Sequence, residues 1–157
     1  MANKPKTTLE LLKEWTLANI RHKDLLRKEI VEIEQDKQGW EFVVHSTKGD
    51  RFYCVAVKAD FEAIVKKAEN RQLFIVVPNT KENLAALNSG WSQLSKLDNF
   101  CVYFVNPYSL LEKVWTVCPL LHEKIADKAT LKKGLEAMFS TVEPYVETPR
   151  NFRISSN

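Results

Sequence analysis

The sequence predicts an α/β protein, a central mixed β-sheet flanked by helices on both faces. Three observations carry that expectation. Leu73–Val77 and Phe100–Val105 are short continuous apolar runs, each closed by a proline within two residues, as expected of strands buried on both sides. Stretches with helical spacing alternate with these runs, and a strand–helix–strand order calls for parallel pairing through crossovers. Upstream, Trp40–Asp60 reads as a hairpin that is apolar on both faces, so each face needs a cover.

Taken in order, Thr7-Thr8-Leu9-Glu10 has the spacing of a capping box. Leu9, Leu12, Thr16 and Ile20 then repeat at helical spacing to about residue 20. Asp24–Lys28 either extends this helix or forms a separate turn. Ile30–Glu34 alternates apolar and acidic residues, which suits a half-exposed strand. Asp36–Gly39 is a turn. In the hairpin, the turn Thr47-Lys48-Gly49-Asp50 predicts that Thr47 pairs with Asp50, Val43 with Cys54 and Glu41 with Ala56. One face then carries Glu41, Val43, His45, Phe52, Cys54, Ala56 and Lys58, and the other Trp40, Phe42, Val44, Tyr53, Val55 and Val57.

Asp60 is placed to cap a helix with the buried stripe Phe61, Ile64, Val65 and Ala68. Thr80 opens another helix with Leu84 and Leu87 inward, and Asn88-Ser89-Gly90 is read as its stop. Residues 91–97 add a turn or two. Lys113–Cys118 alternates weakly, as an edge strand does. Leu131, Leu135, Met138, Phe139 and Val142 form the stripe of a last helix, ended by Pro144 and Pro149.

The 157 residues are expected to form one domain, with an ordered core over about residues 7–145. No apolar run approaches the ~20 residues that span a bilayer, and the first residues lack the apolar centre of a signal peptide. A cytoplasmic location without a membrane partner is the expectation. Three scattered cysteines, Cys54, Cys101 and Cys118, are read as reduced thiols rather than as a disulfide or zinc framework. The four glycines do not cluster, which sets aside phosphate-cradling loops of the P-loop and dinucleotide-binding kind. A net charge of +3 allows nucleic-acid binding through a local patch without requiring it.

Helix, three antiparallel strands, helix, strand over residues 7–78 resembles the restriction-endonuclease-like, or PD-(D/E)xK, nuclease fold, and the strand at 100–105 is a common extension. In that family the second strand supplies an acid, and the third supplies an acid, one spacer and a lysine. Acid and lysine two apart share a face, and with the cross-strand acid they hold a divalent metal that activates water. The resemblance places Glu41 at the first acid, Lys58 at the lysine and Ala56 where the second acid belongs. A methyl group coordinates nothing, so the motif is broken. A replacing acid on the following helix corresponds to Glu62, and Asp60, Glu10 and Glu14 are further carboxylates near the site.

The resemblance implies a catalytically degenerate nuclease-fold protein that acts as a nucleic-acid-binding or assembly module without a cofactor. Arg21, Lys23, Arg27 and Lys28 form the first basic run suited to DNA or RNA, and Lys66, Lys67 and Arg71 a second. One alternative is an active nuclease using Glu41 and Lys58, with Mg²⁺ or Mn²⁺ held by Glu41 and Glu62. Another is a scaffold that binds protein or itself and no nucleic acid. His45, on the Glu41 face, is a candidate base with no identified partner. Trp40, Trp91 and Trp115 are read as packing residues before stacking platforms.

Overall fold

The computed structural model describes residues 5–125 and 127–146, apart from the Lys128 side chain. The expected Pro149 stop and the last residues lie outside that range. The elements run α1 (Thr8–Arg27), β1 (Ile30–Lys37), β2 (Trp40–Ser46), β3 (Gly49–Val55), α2 (Phe61–Ala68), β4 (Gln72–Pro78) and α3 (Lys81–Leu94). They continue with β5 (Phe100–Val105), β6 (Val114–Val117), α4 (Pro119–Ile125) and α5 (Lys128–Ser140). The strands form one open six-stranded sheet in the order β1-β2-β3-β4-β5-β6. The first two pairings are antiparallel, β3–β4 and β4–β5 are parallel, and β5–β6 is antiparallel.

Both sheet faces are covered, as two apolar faces require. Leu12 and Ile20 of α1 pack on Phe42, Val44, Tyr53, Val55, Val76 and Tyr103. The opposite face packs Val43, Ile75, Val102 and Phe104 under Phe61 of α2, Leu87 and Trp91 of α3, and Leu135 and Phe139 of α5. No helix among the described residues is long and apolar enough to cross a membrane.

Caps set the helix boundaries. Thr7 Oγ1 accepts from the Glu10 N–H at 3.1 Å, Asp60 Oδ1 from Ala63 at 3.2 Å, and Thr80 Oγ1 from Asn83 at 3.2 Å. Residues 24–27 extend α1 rather than forming a separate turn. Asp24 sits in the last turn and ties down the exit: its carboxylate accepts from the N–H groups of Glu29 (2.8 Å) and Ile30 (3.2 Å). Lys28 closes the helix in the left-handed region, with φ 51°.

Five local expectations are corrected. The hairpin pairs Ser46 with Gly49 and Val43 with Phe52, two residues away from the expected register. The reason lies in the turn, where Ser46 Oγ accepts from the Lys48 N–H at 3.2 Å and donates to the Gly49 carbonyl at 2.7 Å. A shift of two preserves every face. It also ends β3 at Val55, so Ala56 and Lys58 lie beyond the strand. Trp40 packs with Val43 rather than with Phe42, its ring edge-on to Phe52 at 5.4 Å and capped by Lys67 at 4.5 Å.

Asn88-Ser89-Gly90 does not stop α3, because burying Leu84, Leu87, Trp91 and Leu94 on one stripe outweighs ~1 kcal/mol for a helical glycine. Finally, Cys101 and Cys118 form a disulfide. The β5–β6 register explains it: Val102 pairs with Val117, which sets the two cysteines directly across from each other at the next position.

Candidate functional site

Strand ends and loops place the residues expected to carry nuclease chemistry in separate settings. Glu41 is on β2, and its carboxylate accepts the Val55 N–H at 3.0 Å. The β2–β3 ladder ends at Phe42–Tyr53, so this donor needs a side-chain acceptor, and Glu41 is it. Beside Glu41, burial together with the nearby carboxylate pushes the Cys54 thiol up to about 12.

Lys58 lies in the loop after β3, and a buried asparagine on α3 decides where that loop goes. Asn83 Nδ2 donates to the carbonyls of Val57 (3.1 Å) and Pro78 (3.0 Å), while its Oδ1 accepts the Ala59 N–H at 2.9 Å. The loop is thereby drawn to α3, and the exposed Lys58 ammonium lies 3.7 Å from Glu82. Glu62, in the first turn of α2, pairs with Lys66 at 3.3 Å on the helix surface. Lys67 of the second basic run is spent on the Gly39 carbonyl and the Trp40 ring.

The first basic run splits in two. Lys23 and Arg27 enter a cleft beneath the C-terminal half of α1, joined there by Lys48 from the hairpin turn and Arg51 from β3. Arg21 and Lys28 face a different hollow, beside Leu25 and Val31. The cleft floor is aromatic: Tyr53 stacks on Phe74 at 4.9 Å and Phe74 on Tyr103 at 5.9 Å. Lys23 Nζ reaches the Tyr103 hydroxyl at 3.3 Å and lies over its ring. Tyr53 and Tyr103 are buried, so their rings support the cleft rather than offering a face to a base. Glu29 meets Lys48 at 3.2 Å and Arg51 at 3.4 Å. Counting four cations against Glu29 and Asp24, the formal charge around the cleft is 4 − 2 = +2.

A second cluster occupies the other sheet face. On β2, His45 stands between two carboxylates, with Nε2 2.7 Å from Glu34 and Nδ1 2.8 Å from Asp50. Those hydrogen bonds, Glu34 first, raise the His45 pKa, and the imidazole together with Lys37 lowers that of Glu34. His45 thus has the partners that the sequence reading did not find. Two strand pairings bring them in: β1–β2 sets Glu32 opposite His45 with Glu34 on the same face, and β2–β3 sets Asp50 opposite it.

The described residues define the class of protein: an open-sheet α/β protein with a basic cleft under its first helix and a histidine–carboxylate cluster on the opposite face. No family model, curated protein or solved structure matches the chain.

The two halves of the cysteine chemistry give a direct test. With a pKa near 12, roughly one Cys54 thiol in ten thousand is ionised at pH 8, so the native thiol should resist alkylation. Mass spectrometry after alkylation should find no modified cysteine in the native protein, one after denaturation alone, and three after denaturation with reduction. Three without reduction would contradict the Cys101–Cys118 bond.

Proposed function

We propose that the chain is a non-cutting, nuclease-like module that binds nucleic acid through its phosphates. The observation that carries this reading is the cleft in which Lys23, Arg27, Lys48 and Arg51 converge from three parts of the chain. Cations brought together on a rigid floor neutralise several phosphates at once and release their counterions. With Tyr53 and Tyr103 buried and only Phe74 half-buried between them, the floor offers little stacking surface, so binding depends little on sequence. The order of helix, antiparallel strands, helix and parallel strand is what a restriction-endonuclease-like ancestry would leave.

The residues that would cut are diverted to other partners. Glu41 is occupied by a backbone donor, and Lys58 and Glu62 each face another partner at the surface. The active-nuclease alternative requires Mg²⁺- or Mn²⁺-dependent cleavage that Lys58→Ala abolishes. A cytoplasmic location suits nucleic-acid binding but runs against the Cys101–Cys118 bond, because disulfides are rare in a reducing compartment, and the thiol count in protein purified without oxidant decides between them.

Fluorescence anisotropy with short single-stranded and duplex probes tests the reading. Binding should appear at low salt and weaken log-linearly with salt, at a slope of about −0.7 per phosphate contact on a single strand. The charge reversal Lys23→Glu with Arg27→Glu should remove it, while Arg21→Glu with Lys28→Glu should weaken it far less. No binding at low salt, or equal losses in both double variants, would sink the proposal.

A further inference from the structure

We propose that Glu32, Glu34 and His45 bind a divalent transition-metal ion of the zinc type on the sheet face opposite the basic cleft. The pairing of β1 with β2 builds the site. Glu32 is directly across from His45, and Glu34 follows two residues on, so all three side chains share one face. One donor atom from each lies within 4.8 Å of the others. Zinc bonds of ~2 Å bring tetrahedral donors to within about 3.5 Å of one another. Side-chain rotation of the exposed Glu32 supplies the remaining closure.

The supporting contacts are those a metal-bound imidazole needs. Asp50, on β3, holds His45 Nδ1 at 2.8 Å, which orients the ring and directs Nε2 at Glu34. Lys37 holds the other oxygen of Glu34 at 2.7 Å and fixes that carboxylate. His45 and Glu34 are 32% and 24% exposed, so an ion can enter and water can complete its coordination. One nitrogen with two carboxylate oxygens suits zinc and its neighbours, whereas Mg²⁺ and Ca²⁺ favour all-oxygen sets. Neither Glu41 nor Glu62 belongs to this trio, and the trio shares no residue with the cleft. The two proposals therefore stand or fall separately.

Isothermal titration with zinc chloride tests the site, with magnesium chloride as the contrast. The wild type should bind one zinc per chain and no magnesium, and zinc should shift the His45 Nε2 resonance in ¹⁵N NMR. His45→Ala should abolish this binding. Glu32→Gln, at an exposed position that leaves the His45 pairs intact, should weaken it about 10–100-fold, as should Asp50→Asn, which acts only through ring orientation. Should His45→Ala unfold, Glu32→Gln and the His45 resonance decide. An absence of zinc binding in the wild type overturns the proposal. So does binding that persists unchanged in Glu32→Gln with a silent His45 resonance, which would place the ion elsewhere, at His22 or His122.

Discussion

Asn79→Ala should destabilise the protein by ~3–5 kcal/mol, measured as a lower urea midpoint at unchanged m value. Asn79 is fully buried at the end of β4, where it joins three parts of the chain. Its Nδ2 donates to carbonyls of the chain leaving α5, at 3.0 Å to Val142 and 3.3 Å to Phe139 and Glu143. Its Oδ1 accepts from the Trp115 indole at 2.7 Å. Alanine leaves the Trp115 indole N–H and the Val142 carbonyl without a partner, at ~1–3 kcal/mol each, while the Phe139 carbonyl keeps the Val142 N–H and the Glu143 carbonyl keeps Asn106 Nδ2. An unsatisfied polar group costs more than its hydrogen bond contributes, so the effect should rival that of truncating a buried leucine. Asn79→Asp should be no milder, since a carboxylate facing three carbonyls has nothing to donate. A loss below ~1 kcal/mol would show that water replaces the side chain.

The same asparagines mark where sequence reading stops. Leu73–Val77 and Phe100–Val105 were legible as inner strands because burial on both faces leaves a continuous apolar signature. Asn79, Asn83 and the buried Asn106, whose Nδ2 donates to the Glu143 carbonyl at 2.9 Å, give no such signature. Each follows or faces a strand end, and in a sequence an asparagine there reads as a turn residue. Only in three dimensions does Asn83 bond to Val57 and Ala59, some two dozen positions earlier, and so set the course of Lys58. The hairpin faces were legible because alternation tolerates a shift of two. The register was not, because a single hydroxyl, Ser46 Oγ, selects the turn.

The candidate sites were legible to different depths for a related reason. Lys23 and Arg27 were found in a local run of charge. Lys48 and Arg51 are isolated in the sequence and join them only through β3 and its turn. Likewise, the alternation of Ile30–Glu34 showed that β1 has an acidic face. Which histidine that face meets depends on pairing across a β-bulge between Ile30 and Glu32, and local pattern does not encode it.

Leu12→Ala should cost ~2–5 kcal/mol, and it separates the structural from the electrostatic part of the cleft. Leu12 is fully buried between α1 and the sheet, among the side chains of β2, β3 and β4. The neighbouring Thr16 offers no compensation, because its hydroxyl already donates back to the Leu12 carbonyl at 2.7 Å. Truncation therefore leaves a void under the first half of the helix whose second half carries Lys23 and Arg27. Below its melting temperature the variant should still bind nucleic acid with close to wild-type affinity, since no charge has moved. The Lys23→Glu, Arg27→Glu variant should show the reverse, with thermal unfolding near wild type and binding lost. If Leu12→Ala abolished binding while circular dichroism showed a folded chain, the cleft would depend on helix docking more than on charge. Melting curves and binding isotherms on the two variants resolve this directly, because each perturbs one term and leaves the other in place.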